Sequence, residues 1–485
     1  MEYKLSDTLR FFILCETLWL FFATSAVNCF ACLTAKNAEN FCESLRTLRL
    51  DFLPQRTQSC SQRTQSKLIK RNEGINKFGV MRFEKIGSVF PIIRNGANIK
   101  QDKVTDGYPI TRIETIADGT VDLKRVGYAS IHDERFSEFF LQENDILMSH
   151  INSVSHLGKV ALVNHIGEKV IHGMNLLCLK ADESRINPMY SFYFLRSPIF
   201  RSKIKRITKK SVNQASFNIS NLKDIEIPLP PLPDQLHIAT ILSKAENLIA
   251  QRKESMRLLD EFLKSTFLEM FGDPVRNEKG WKIDSLKNYG SLKNGLNYTR
   301  NESGLNIRCL GVGDFKDLSK LTDIDSLPIL NLSSAPSDEY YLQDGDLVFV
   351  RSNGNRELVG RCLVVFPKKD KVTYSGFCIR YRIEKTQITS IYLSHLFRVS
   401  VFKKSMLQNG RGANIQNINQ QILGSLKIPV PPISLQTQFA QIVEKTEALK
   451  SQYQQSLQEL ESLYGSLSQK AFRGELTSKQ NSANP

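Results

Sequence analysis

The chain has 485 residues, 41% hydrophobic and 24% charged, with 65 Lys and Arg against 49 Asp and Glu for a formal charge of +16. That length buries several cores, so it excludes dependence on disulfide staples, and the positive excess favours a polyanionic partner such as nucleic acid. The nine cysteines argue against a zinc module: four stand singly among apolar neighbours, and the lone CxxC of Cys29 and Cys32 has no second pair or His beside it.

Residues 9–33, LRFFILCETLWLFFATSAVNCFACL, form an apolar run that Glu16 interrupts and Asn28 ends. The continuous part after Glu16 is about ten residues, short for a membrane span and closer to a signal-peptide pattern. Residues 34–80 turn polar and irregular before MRFEKIGSVF opens a domain-like pattern at Met81. The composition break predicts that 1–80 is an extension outside the working protein, with translation starting near Met81. The body then reads as a reduced, cytoplasmic protein with no membrane segment.

From there the chain repeats itself. IPLPPLPDQ at 227–235 returns as IPVPPISLQ at 428–436, a shift of 201 residues. At the same shift Asn213, Asn218 and Leu222 match Asn414, Asn419 and Leu423, and Gln235, Ala239, Glu246, Leu259 and Phe271 match Gln436, Ala440, Glu447, Leu460 and Phe472. Upstream, QENDILMSHINSVSHLGKVALV (142–163) parallels QDGDLVFVRSNGNRELVGRCLVV (343–365), and MYSFYFLRSPIF (189–200) parallels IYLSHLFRVSVF (391–402). Repeats of this kind mark two structural units. The predicted order is a strand-rich domain over 81–226, a proline-rich joint and helix over 227–274, a second strand-rich domain over 275–427, a joint and helix over 428–476, and a tail at 477–485.

The two helices carry an apolar stripe. Ile238, Leu242, Ala245, Ile249, Arg252, Met256, Leu259 and Leu263 follow a four, three spacing, and Phe439, Val443, Thr446, Lys450, Tyr453, Leu457 and Leu460 repeat it in the same register. A 3.5-residue period over five heptads predicts a coiled-coil seam, and about 36 residues would span ~54 Å. The prolines at 228, 230, 231 and 233 delay the first helix, with Asp234 expected as its N-cap and Ser434 as that of the second. Gly272 and Pro274 should end the first helix.

With the twin PLPPL and PVPPI phrases, the GDP at 272–274 and FRGEL at 472–476, residues 83–476 resemble the specificity subunits of type I restriction-modification systems. The resemblance implies an α+β fold of two tandem strand-rich target recognition domains. Each is followed by a long helix, and the two helices run as an antiparallel coiled coil with pseudo-two-fold symmetry. It implies double-stranded DNA and two methyltransferase subunits as partners, with motor nuclease subunits in a cleaving complex. It also implies no active site or cofactor on this chain, S-adenosylmethionine being bound by the methyltransferases, which modify adenine N6.

Reading DNA requires cations for phosphates and forked or amide groups for base edges. Two loops per unit offer this mixture, HINSVSH (150–156) with KRITKKSVNQ (205–214), and RSNGNR (351–356) with NGRGANIQ (409–416). The candidates are His150, Asn152, Lys209, Lys210, Asn213 and Gln214 in the first unit, and Arg351, Asn353, Arg356, Arg411, Asn414 and Gln416 in the second. Enzymatic signatures are weak. NPMY at 187–190 is close to the NPPY of amino-methyltransferases, but the second unit has TSIY there, which suits a helix start. LGVGDF at 310–315 is a lone glycine pair without a following helix. The competing readings are a stand-alone coiled-coil DNA-binding or scaffold protein, and a solitary methyltransferase built on NPMY.

Overall fold

The computed structural model describes residues 82–476 except 102–105, 118, 165, 211–213, 299–303, 316–318, 356 and 409–416. The main elements of the first copy are β1 (Phe83–Lys85), β2 (Ile92–Asn95), β3 (Ile116–Ala117), β4 (Thr120–Val121), β5 (Ile146–Ser149), β6 (Val160–Leu162), β7 (Leu176–Lys180), α1 (Pro188–Arg196), α2 (Pro198–Ile207), β8 (Glu226–Pro228) and α3 (Leu232–Phe271). Those of the second are β9 (Lys282–Ser285), β10 (Gly290–Asn294), β11 (Lys320–Leu321), β12 (Asp346–Val350), β13 (Cys362–Val365), β14 (Cys378–Ile383), α4 (Ser390–Leu396), α5 (Ser400–Gln408), β15 (Lys427–Val430) and α6 (Ile433–Phe472). The central sheets have matching order, β2-β7-β5-β6-β4-β3 and β10-β14-β12-β13-β11. In both, one pair, β4 with β6 and β11 with β13, is parallel, and in the first sheet β3 adds an antiparallel edge strand beyond it.

The sheets explain the unbroken apolar runs. Ile146 and Met148 of β5 face a core shared with α1 and α3, while Leu147 faces a second core with Ala161 and Cys178. In β12, Leu347 and Phe349 divide from Val348 and Val350 in the same way. Strands covered on both faces lose the polar alternation of a half-exposed strand. The acid at the start of each strand is buried. Asp145 accepts from Gln142 N at 2.9 Å and meets Lys180 at 3.3 Å; Asp346 accepts from Gln343 N at 2.7 Å and receives a two-pronged bond from Arg382 at 2.8 and 2.7 Å.

The repeated proline phrase belongs first to the sheet and then to the helix. β8 pairs with β1 and β15 with β9, so each phrase enters as a strand at its domain's base. The Pro228 carbonyl accepts the Tyr190 hydroxyl at 2.8 Å, and the Pro429 carbonyl accepts that of Tyr392 at 2.9 Å. The side chain of Gln235, fully buried, accepts from Asn187 N (2.8 Å) and donates to Arg185 O (3.1 Å) and Pro230 O (2.8 Å). Gln436 repeats this with Thr389 N (2.9 Å), Gln387 O (3.0 Å) and Pro431 O (2.9 Å). The expected caps are displaced: the helices start at Leu232 and Ile433, with Pro231 and Pro432 as N-caps, so Asp234 and Ser434 lie inside the first turn. Pro233 fits there because the amides of a first turn have no helical partner to lose. At the other end Gly272 has φ +78° and donates its N–H to Leu268 O at 2.8 Å, with an extended ψ of −176° rather than the left-handed helical value.

Each long helix has 40 residues, about 60 Å at 1.5 Å per residue. Ile238, Ala239 and Leu242 at the start of α3 share the first domain's core with Ala471 and Phe472 at the end of α6. Leu263, Phe267 and Phe271 at the end of α3 share the second domain's core with Phe439 and Val443 at the start of α6. Each helix therefore begins on one domain and ends on the other, which sets the two antiparallel. Between the ends, Lys253 pairs with Glu461 at 2.9 Å, Lys450 with Asp260 at 2.7 Å, and the Arg252 guanidinium lies 4.2 Å over the Tyr453 ring.

Of the expected seam, Ile238, Leu242, Leu263, Phe439, Val443 and Leu457 are buried, and Ile249, Leu259, Tyr453 and Leu460 are half-buried. Near the C-terminal end of α3 the buried face moves to steps of four, Leu263, Phe267 and Phe271. A straight helix drifts from a heptad by ~20° per repeat, and here the drift turns two rings toward Tyr392 at 5.6 and 4.9 Å. Among the described residues no helix is long and apolar enough to cross a membrane; the run at 9–33 lies outside them.

Replacing Gln235 or Gln436 by Ala strands buried polar groups, so each variant should lose about 2 kcal/mol of stability. The two amides share no partner, so the double variant should lose about the sum. Chemical denaturation checks both; a change below a few tenths of a kcal/mol would deny the amides this role.

Candidate nucleic-acid interface

In the first unit, β5 leads into Ile151–Asn152, which pairs with Ala215–Ser216, which pairs in turn with Lys209–Lys210. This three-stranded ribbon brings the two predicted loops, 150–156 and 205–214, onto one surface. The second unit repeats the join: Ser352 bridges Asn417, and Ile418 N donates to Arg351 O at 2.9 Å, as Phe217 N donates to His150 O at 3.3 Å. The matched residues differ by 201 in number, so the backbone contacts at the join are common to both units while the side chains there differ.

Lys209, Lys210 and Gln214 are exposed. Asn152 is half-buried; its Oδ1 accepts Ser153 N at 2.7 Å and its Nδ2 donates to Ser149 Oγ at 3.4 Å, which fixes the turn and leaves the amide edge partly free. His150 departs from the expectation of a base reader. It is only 6% exposed, packs edge-on to Phe217 at 6.4 Å, and has a buried Nδ1 with no hydrogen-bond partner. Burial pushes its pKa down, so a neutral ring sits beneath the ribbon. In the second unit Arg351 is half-buried, with Nη1 3.4 Å from Gly376 O, and Asn353 Oδ1 accepts Asn355 N at 2.7 Å in a turn. Asn213, Arg356, Arg411, Asn414 and Gln416 lie outside the described residues. The neighbouring Asn218 and Asn419 cap short helices, accepting Asn221 N at 2.9 Å and Ile422 N at 2.8 Å.

The enzymatic motifs are taken up by structure. Asn187 caps α1 by accepting Tyr190 N at 2.9 Å, Pro188 fills the first turn, and the Tyr190 hydroxyl is held by Pro228. The glycine pair at 311–313 opens a single turn in which Gly311 N donates to Asp314 Oδ2 at 2.8 Å. Among the described residues no group of three or more His, Cys, Asp or Glu could hold a metal. Cys178 and Cys309 are buried with thiols pushed up to about 12 by desolvation. What the sequence analysis left without a role are the paired Gln235 and Gln436 and the paired Tyr190 and Tyr392. Their identity in both copies was the available signal.

Below the interface, His172 is 1% exposed; its Nε2 lies 2.9 Å from Leu176 O and its Nδ1 has no partner. Burial is the main cause that drives its pKa from 6.5 to about 4. The native state therefore binds fewer protons than the unfolded state between those values, so this contribution is whole above pH 6.5 and lost as pH falls toward 4. The drop corresponds to on the order of 3 kcal/mol. Melting curves of the wild type and His172→Gln from pH 7 to 4 should diverge, the wild type falling more steeply. His395, held near 4 mainly by burial, titrates in both proteins and cancels. Parallel curves would contradict the assignment.

The family model described as "Type I restriction modification DNA specificity domain" matches residues 81–257 and 304–462, one match per unit. A putative type I restriction enzyme MjaX specificity subunit of Methanocaldococcus jannaschii is 32% identical over 386 residues, covering 75% of this chain and 86% of that relative. The StySPI specificity subunit of Salmonella potsdam is 26% identical, covering 82% of this chain and 90% of that relative. A solved S subunit from M. genitalium covers 82% of this chain and 97% of its own at 16% identity, with a TM-score of 0.48.

Proposed function

The chain belongs to the type I restriction-modification DNA specificity family, and from that premise we propose that it reads a split, asymmetric DNA target, one half-site per strand-rich domain. The observation that carries this reading is the join between the two loops of each copy, made by the same backbone contacts 201 residues apart and flanked by different side chains. Lys209 and Lys210 suit phosphates; Gln214, Asn152, Arg351 and Asn353 suit base edges. Two different sets of side chains on a pseudo-symmetric pair specify two different half-sites.

The long helices act as the spacer and as docking surfaces for two methyltransferase subunits. They pair along a coiled-coil-like seam whose ends are fixed in both domain cores. Those partners bind S-adenosylmethionine and methylate adenine N6, while this chain is non-catalytic and selects where they act. Motor nuclease subunits joining the same assembly would cut unmethylated DNA.

Residues 252–258 and 453–459 face one another across the antiparallel pair, as the Arg252 and Tyr453 contact and the Lys253 and Glu461 pair indicate. Deleting both heptads removes ~10.5 Å of spacer, about three base pairs of a DNA turn. Methylation mapping should find a gap about three base pairs shorter with both half-sites unaltered. An unchanged gap in an active complex would refute the spacer role. A stand-alone scaffold instead predicts that no methyltransferase co-purifies with the chain.

A further inference from the structure

Between Val372 and Tyr381 every residue is buried except Phe377, which is 63% exposed and the most exposed large apolar side chain among the described residues. It stands on a turn that cannot easily yield. A Cβ on Gly376 would overlap the Asn297 side chain, and one on Gly295 would overlap the Ser375 carbonyl, so two backbones meet where only glycine fits. The turn is tied to the candidate interface: Arg351 N donates to Phe377 O at 2.8 Å, and Arg351 Nη1 lies 3.4 Å from Gly376 O. The next residue along that loop, Ser352, bridges Asn417 at the end of the second predicted loop. Phe377 thus stands beside the meeting point of both loops, with the Arg351 guanidinium on the carbonyl of the residue before it.

The fold does not require an aromatic there. Leu177 pairs with Met148, and Ile379 pairs with Phe349 at the matching places of the two sheets. Two residues earlier stand Asn175 in the first unit and Phe377 in the second, both exposed. An amide satisfies the turn without exposing a ring to water, so the ring costs solvation that the turn does not repay.

We propose that Phe377 stacks on a base of the half-site read by the second domain, a contact the first domain lacks. This rests on the DNA-reading function proposed above. Exposed aromatics and apolar wedges beside cations bind bases through their faces, and wedges open a base step at a kink. The neighbouring Arg351, which suits a base edge, sets a second reading group beside it.

The test uses the full chain assembled with its methyltransferase partners and a duplex carrying the target found by methylation mapping, with 2-aminopurine placed in either half-site. Phe377→Ala and Phe377→Asn, the latter borrowing the residue of the first unit, should each bind about tenfold more weakly. Both should lose the fluorescence change of the label in the second half-site while keeping that in the first. Phe377→Trp should retain both. Wild-type affinity and fluorescence in the Ala and Asn variants would overturn the proposal while leaving the function intact. A wild-type complex that binds the target no better than a scrambled duplex would overturn the function and this proposal together.

Discussion

The amide of Gln235 joins two segments distant in sequence: the Asn187 amide and Arg185 carbonyl at the start of α1, and the Pro230 carbonyl of its own joint. Gln436 makes the same three bonds in the second unit. Prolines cannot donate, so Pro228, Pro230 and Pro231 offer only their carbonyls. A residue with both an acceptor and donors at its tip is what the site requires. Burial makes the choice strict, because a stranded amide or carbonyl in a dry core costs more than the bond itself contributes. This clamp aims each 40-residue helix, and a small error in aim would displace its far end by many ångströms.

That far end has to arrive in another domain's core. Phe472 packs on Tyr190 and Phe194 at 5.6 and 5.4 Å, and Phe271 on Tyr392 and Phe439 at 4.9 and 5.5 Å. The same Tyr190 and Tyr392 hydroxyls bind the proline carbonyls, so departure and arrival are read by one side chain at each end. The middle of the pair carries ion pairs and half-buried stripe residues rather than a dry seam. Exposed ion pairs contribute little to stability, which places most of the orientation energy in the two aromatic ends. The scaffold is nearly symmetric, and the loops it carries are not.

The repeat made the scaffold legible in sequence: matched residues at a constant shift located both joints, both helices and the place where the first unit's two loops meet. The heptad pattern was followed only until the last turns, where the aromatic residues required by the domain cores impose steps of four. Pro233 reads in sequence as a barrier to the first helix, yet the helix starts one residue before it because a first turn tolerates proline. The polar residues near His150, Asn152 and Ser153, suggest an exposed ring, whereas His150 is 6% exposed. Burial of residue 150 follows from the ribbon folding Phe217 over it, which no local pattern records. Phe377 was invisible for the opposite reason, as its place in the first unit is taken by Asn175 and the residues before it, Ser375 and Gly376, read as an ordinary turn.

A scaffold with interchangeable readers makes a direct demand on the DNA. Replacing residues 81–226 by the second domain, residues 275–427, keeps both joints and both helices while making the two readers alike. Methylation mapping of cells carrying this chain with its partner subunits should reveal an inverted repeat of the second half-site across the gap. A folded, methylating complex whose target stayed asymmetric would contradict the claim that pseudo-symmetry resides in the scaffold and specificity in the domains.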